Sequence, residues 1–149
     1  MAKKNDILGM KELERAFKRL GKVPQTVATK SAKAGAQIAF KAAKKNAPED
    51  SGDLKSGIIM KAERRVKVGK KVYDIMMDPA KNDIFVKVSK DGKRSYYPAS
   101  QEYGYMTADG GYVPGYRFFR KSMTDNAAAM EKKMVDVAAV AVDKALSAR

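Results

Sequence analysis

Apolar positions recur at helical spacing over two stretches early in the chain. In "DILGMKELERAFKRLGKVP", Leu13, Phe17 and Leu20 fall on one face, and Gly21 and Pro24 follow as stop signals. This predicts a short amphipathic helix over about 10–20, with Glu14 four residues ahead of Lys18 as a weakly stabilising pair. A second helix is predicted from about 25 to 46, with Pro24 suited to its first turn and Asn46 and Pro48 closing it. Around that helix Lys30, Lys33, Gln37, Lys41 and Lys44 form one stripe, opposed by Ala28, Ala32, Gly35, Ala36, Ala39, Ala42 and Ala43. Side chains this small let a backbone come close to a sheet or to another helix.

From Ile58 the periodicity changes. "GIIMKAERRVKVGKKVYDIMM" is rich in β-branched residues, with Gly69-Lys70 as its turn. "DIFVKVS" alternates, placing Ile84, Val86 and Val88 on one face of a strand. Asp50-Ser51-Gly52-Asp53, Asp78-Pro79 and Asp91-Gly92 punctuate these runs. The last stretch, "TDNAAAMEKKMVDVAAVAVDKALSAR", predicts a long helix capped by Thr124 or Asp125, with Ala127, Met130, Met134, Val137, Ala138, Ala141 and Ala145 on its packing face. The order predicts an α+β fold: an antiparallel sheet of three to five strands, with the alanine-rich helix and the C-terminal helix packed on one side. No linker divides residues 1–149, which read as a single domain.

Composition changes this picture in two ways. Twenty-two of the residues are alanine, and Leu, Ile, Val and Phe together number 28 of 149. Core material is therefore thin for a chain of net charge +14, and a fold completed by partner subunits is expected. The charge is also uneven: residues 1–50, 51–100 and 101–149 carry +7, +6 and +1. A phosphate-facing surface is the sharp reading of the lysine stripe, and a solvated helix face is the plain one.

Candidate chemistry is sparse. With no cysteine and no histidine, thiolate chemistry, disulfides, the commonest general base and the commonest metal ligand are missing. The carboxylates sit mostly beside Lys or Arg, and Asp50 with Asp53 reads as turn hydrogen bonding. "GYMTADGGY" lacks the glycine and lysine spacing that cradles phosphate. No catalytic residue, cofactor site or metal site is expected. "MAKKNDILGM" has charge but no apolar core of a signal peptide, and no apolar run reaches membrane-span length, so the expectation is a cytoplasmic address with no membrane contact.

One segment stands apart. Six of the seven tyrosines fall between Tyr96 and Tyr116, around "QEYGYMTADGGYVPGYRFF". Tyr, Met and Arg are enriched at the centres of protein interfaces. Gly104, Gly110, Gly111 and Gly115 suit a loop that must bend sharply. Glu102, Tyr103, Tyr105, Met106, Tyr112, Tyr116 and Arg117 are thus the candidate subunit-interface residues, and 101–117 the candidate assembly arm. Of Phe118 and Phe119, at least one is expected in the core. Base stacking in a positive groove is the competing use of such rings, but here rings and charge are separated along the chain.

Three phrases then stand in a telling order. "KKNAPEDSGDLKSGI" follows the alanine-rich helix, "YYPASQEYG" follows the strands, and "VPGYRFFRKSM" precedes the terminal helix. The set resembles the head–tail joining (tail-completion, neck) proteins of long-tailed bacteriophages and prophages, including those like minor tail protein Z. Ala47, Pro48, Ser51, Gly52, Leu54 and Lys55 stand in the first family motif; Tyr97, Ala99, Glu102, Tyr103 and Gly104 in the second; and Phe118, Phe119 and Arg120 in the third. Ser51 for Thr, Lys55 for Arg and the intruding Pro98 depart from the pattern. The resemblance implies a structural virion protein without enzymatic activity. It would be assembled in the host cytoplasm as a ring, of six copies, between the tail tube protein and the head connector or stopper proteins. Lys30, Lys33, Lys41 and Lys44 would then face a DNA-carrying lumen, in transient contact with phage DNA. A basic, sequence-neutral DNA-binding protein of nucleoid type is the alternative.

Overall fold

In a computed structural model, residues 10–147 are described; residues 1–9, which hold most of the stretch read for a leader, and 148–149 lie outside them, as do the Met10 and Leu13 side chains. Among the described residues the chain mixes helix and strand. The first helix, α1, runs unbroken from Met10 to Asn46. This corrects the expectation of two helices parted at Gly21 and Pro24. Helix formers continue on both sides of Pro24, and the proline lies on an exposed turn, so the carbonyl that loses its helical donor is open to solvent. One residue later, Gln25 accepts from the Gly69 amide (3.0 Å) and donates to the Lys70 carbonyl (3.3 Å), tying α1 to the chain reversal at Gly69-Lys70. Pro24→Ala should therefore restore one helical bond and slow amide exchange across residues 10–23, a local gain of roughly 1–3 kcal/mol. Unchanged exchange there would contradict that reading.

After α1 comes a turn whose chemistry is local. Ser51 donates to Asp53 (2.6 Å), Lys55 pairs with Glu49, and Gly52 takes φ 82° to open the short helix α2, Asp53–Gly57. Strands β1 (Ile58–Ala62) and β2 (Tyr73–Met77) pair antiparallel, from Ile58 opposite Met77 to Ala62 opposite Tyr73. The turn between them passes through Gly69 at φ 80°. A 3-10 turn, Pro79–Lys81, leads into α3, Asn82–Phe85. Two smaller ribbons follow: β3 (Val86–Val88) with β4 (Arg94–Tyr96), and, after helix α4 (Tyr97–Tyr103), β5 (Gly104–Met106) with β6 (Tyr112–Pro114). The chain ends in α5, Phe118–Thr124, and α6, Ala127–Ser147.

The expected sheet of three to five strands is thus three separate two-stranded ribbons. Within one subunit, α3 and α4 stand between successive ribbons and turn the chain away before their strands can align side by side. Ile84 belongs to α3 and not to a strand, and Thr124 closes α5 by bonding back to Arg120 instead of capping α6.

The core is small. Ala43, Ala47, Leu54, Ile58, Met77, Phe85 and Phe118 form one buried cluster, with Phe40, Ile75, Tyr97 and Phe119 packed on it. Ala47 and Leu54 of the first motif are therefore packing residues. Gly57 lies so close to Phe85 that a Cβ there would stand 2.4 Å from the ring. The longest contact runs between α1 and α6, where Gly35 admits the Met134 side chain. No residue of α6 is fully buried: one face rests on α1, while Val135, Val140 and Leu146 are exposed.

Candidate protein–protein interface

The segment that looked irregular in sequence is built in two parts. Residues 97–103 form α4, started by Pro98 in its first turn and stopped by Gly104 at φ 91°. Residues 104–114 then form the β5–β6 hairpin, whose tip turns through Gly110 at φ 84°. Two close approaches at its base demand glycine. A Cβ on Gly104 would meet the Val113 carbonyl oxygen at 2.3 Å, and one on Gly115 would meet the Glu102 carbonyl oxygen at 2.3 Å. Gly115→Ala should consequently push the hairpin off α4, costing roughly 1–3 kcal/mol by overpacking. A thermal melt identical to that of the parent chain would refute the close approach.

The base is fixed by one carboxylate. Glu102 is 6% exposed and accepts from the Phe119 amide (2.9 Å) and the Arg120 amide (3.1 Å). Those are free N–H groups in the first turn of α5, where a negative charge is favoured. The Tyr116 and Arg117 amides donate in turn to the carbonyls of Gln101 and Glu102. Arg117, at φ 54°, takes the left-handed conformation that turns the chain from hairpin into helix. Phe118 is then fully buried and stacks beside Phe119, 4.6 Å between centroids, so Phe118 is the core anchor expected of that pair.

Above this clamp the aromatic side chains are left outside. Tyr103 is 73% exposed and Met106 66%, with Tyr105, Tyr112 and Tyr116 also exposed. The Tyr112 hydroxyl donates to the Tyr103 carbonyl (2.7 Å), bracing the hairpin across its width. Burial pushes the Tyr97 phenol up, with Asp50, Tyr116 and Asp53 adding to it, and burial alone pushes up Tyr96. These rings stay neutral over the ordinary pH range.

The structure brings six of the seven candidate interface residues to the surface of one arm: Tyr103, Tyr105, Met106, Tyr112, Tyr116 and Arg117. Glu102 differs. It faces inward and holds the arm in place, a role that the chain of polar and glycine residues around it gave no sign of. The lysine stripe lies on α1 as expected, with Lys30, Lys33 and Lys41 exposed and Lys44 laid over the Phe40 ring at 4.8 Å. Among the described residues no group of acidic side chains is placed to hold a metal ion, and no helix is long and apolar enough to cross a membrane.

Residues 11–99 match the family described as "Bacteriophage HK97-gp10, putative tail-component". The matched part runs from α1 into the start of α4, and the hairpin arm lies beyond it. No curated protein and no solved structure matches the chain. With more than half of its length covered, the chain belongs to the HK97-gp10-like family of bacteriophage tail components, a family of structural virion proteins and not an enzyme class.

Proposed function

We propose that this tail component acts by oligomeric assembly, forming a ring of six copies that joins or completes the tail at the head–tail interface. The observation that carries this is the arm: large rings and a methionine held outward on a base that is itself tightly fixed. Monomers rarely leave such a cluster uncovered, and a pre-ordered arm loses little entropy on docking. A ring requires that one patch of each subunit meet a different patch of the next. The tail tube protein lies on one side of this ring and the connector or stopper proteins on the other. The exposed lysines of α1, Lys30, Lys33 and Lys41, face the lumen through which DNA passes.

Imaging of the purified chain by negative-stain electron microscopy, alone and with the tail tube protein, tests this. Closed rings are the expected result, and an absence of rings under both conditions would overturn it. Nucleoid-type DNA binding predicts the opposite pair of results: no rings, and duplex binding that collapses between low and moderate salt.

A further inference from the structure

The arm needs a receptor, and one groove of the molecule is made to take a strand. It has a volume of about 460 Å³, within the range of about 300–1,000 Å³ typical of occupied sites. Its floor is Ala32, Ala36 and Ala39 of α1, and its far wall is Phe119 of α5 with Met130 and Met134 of α6. The space exists because alanines stand where larger side chains would fill it. The near wall is residues 71–75, five consecutive positions of β2 and its approach. Alternate strand residues point to opposite faces, so five in a row can line one groove only if it meets the strand edge-on.

That edge is open. The Glu63 amide bonds to the Val72 carbonyl and the Asp78 amide to the Gly57 carbonyl, bracketing the β1–β2 ladder. By antiparallel alternation, residues 72, 74, 76 and 78 turn their backbone groups toward β1, and the amides of Tyr73 and Ile75 point away from it. Among the described residues β2 pairs with β1 alone. An unpaired edge beside an apolar floor is the arrangement that accepts an added strand.

Charge says which strand. In a chain of net charge +14, any self-contact must be made by surfaces free of excess lysine, or repulsion opposes it. The groove carries one Lys71 and one Asp74, and so is neutral. Residues 103–116 contain no Lys or Arg and a single Asp109, and lie within 95–116, the longest stretch of the sequence without a basic residue. The hairpin and the groove share no residue, so their pairing is head-to-tail.

We propose that the β5–β6 hairpin of one copy adds to the open edge of β2 in the next, seating Tyr105 and Met106 in the alanine-floored groove. This rests on the ring reading and specifies its contact. The chain has no cysteine of its own, which makes the test direct. One sample of the full chain carries Met106→Cys and another, of distinguishable mass, carries Asp74→Cys, an exposed position on the groove rim. On mixing under assembling conditions and mild oxidation, the 106–74 heterodimer is expected at least tenfold above a control pair using Lys90→Cys in the exposed β3–β4 turn. Ala36→Leu, which fills the floor, should abolish assembly while leaving the melting temperature within a few degrees.

Rings that form without the 106–74 link, or that form equally well with Ala36→Leu, overturn the groove docking and leave the ring reading standing. An Asp74→Cys thiol that stays open to reagent in assembled rings assigns the groove to another occupant, and the proposal falls. A chain that stays monomeric under all conditions overturns both.

Discussion

Replacing Glu102 with Ala is expected to lower stability by about 3 kcal/mol, the largest single loss foreseen outside the apolar core. Two amides of the α5 first turn would be left without their acceptor, each a charge-assisted bond worth roughly 1.5–3 kcal/mol. Part of this is recovered as water enters the site. For a chain of this size the melting temperature should fall by roughly 6–12 °C, readable by circular dichroism. Glu102→Gln keeps one acceptor oxygen but turns an NH2 donor toward the second amide, and should cost about half as much, roughly 1.5 kcal/mol. The comparison separates capping from packing, since Gln fills the same space. If Ala and Gln behaved alike, the carboxylate would not be what holds the arm to α5.

The second large effect concerns assembly and not folding. Replacing Tyr103 and Tyr112 together with Ala removes two exposed rings from the arm and the brace between the Tyr112 hydroxyl and the Tyr103 carbonyl. Neither ring belongs to the core cluster, so the monomer should lose only about 1 kcal/mol, from the lost bond. At an interface centre, a tyrosine of this kind contributes about 2 kcal/mol or more, or roughly 30-fold in affinity for each. The double variant should therefore fail to assemble at concentrations where the parent forms rings, while melting nearly as the parent does. Tyr112→Phe retains the ring and loses only the hydroxyl, and should assemble. Light scattering that showed the double variant assembling normally would remove the arm from the interface.

What was legible in the sequence follows from which forces act locally. The alanine-rich part of α1, the terminal helix, the Gly69 turn of the β1–β2 ribbon and the burial of one of the pair Phe118 and Phe119 rest on periodicity and turn chemistry within a few residues. Pro24 misled because its cost depends on whether its turn faces solvent, and on the Gln25 link to Gly69 and Lys70 some 44 residues away. The sheet was misread for a related reason. Alternation in "DIFVKVS" is equally compatible with a turn of helix, and the chain closes α3 there, burying Phe85 while leaving Ile84 out. The tyrosine cluster was visible at once from composition. The inward turn of Glu102 was not, because it depends on two amides 17 and 18 residues later arriving at the start of a helix.

Those same long-range contacts explain how a small core supports a stiff arm. Glu102, Gly104 and Gly115 lock the hairpin base to α5, and Phe118 roots α5 in the buried cluster. Sequence changes at the exposed rings should therefore alter partner choice with little cost to the fold, whereas changes at the base should lower stability and assembly together.

The most direct measurement is hydroxyl-radical footprinting of the tyrosines in the assembled ring against the monomer. Oxidation of Tyr103, Tyr105 and Tyr112 should drop severalfold on assembly, while the half-buried Tyr97, outside both the arm and the groove, serves as the internal reference for monomer folding. Equal oxidation of the three arm tyrosines in both states would show that they meet no neighbouring chain, and would contradict the claim that this segment is the docking surface.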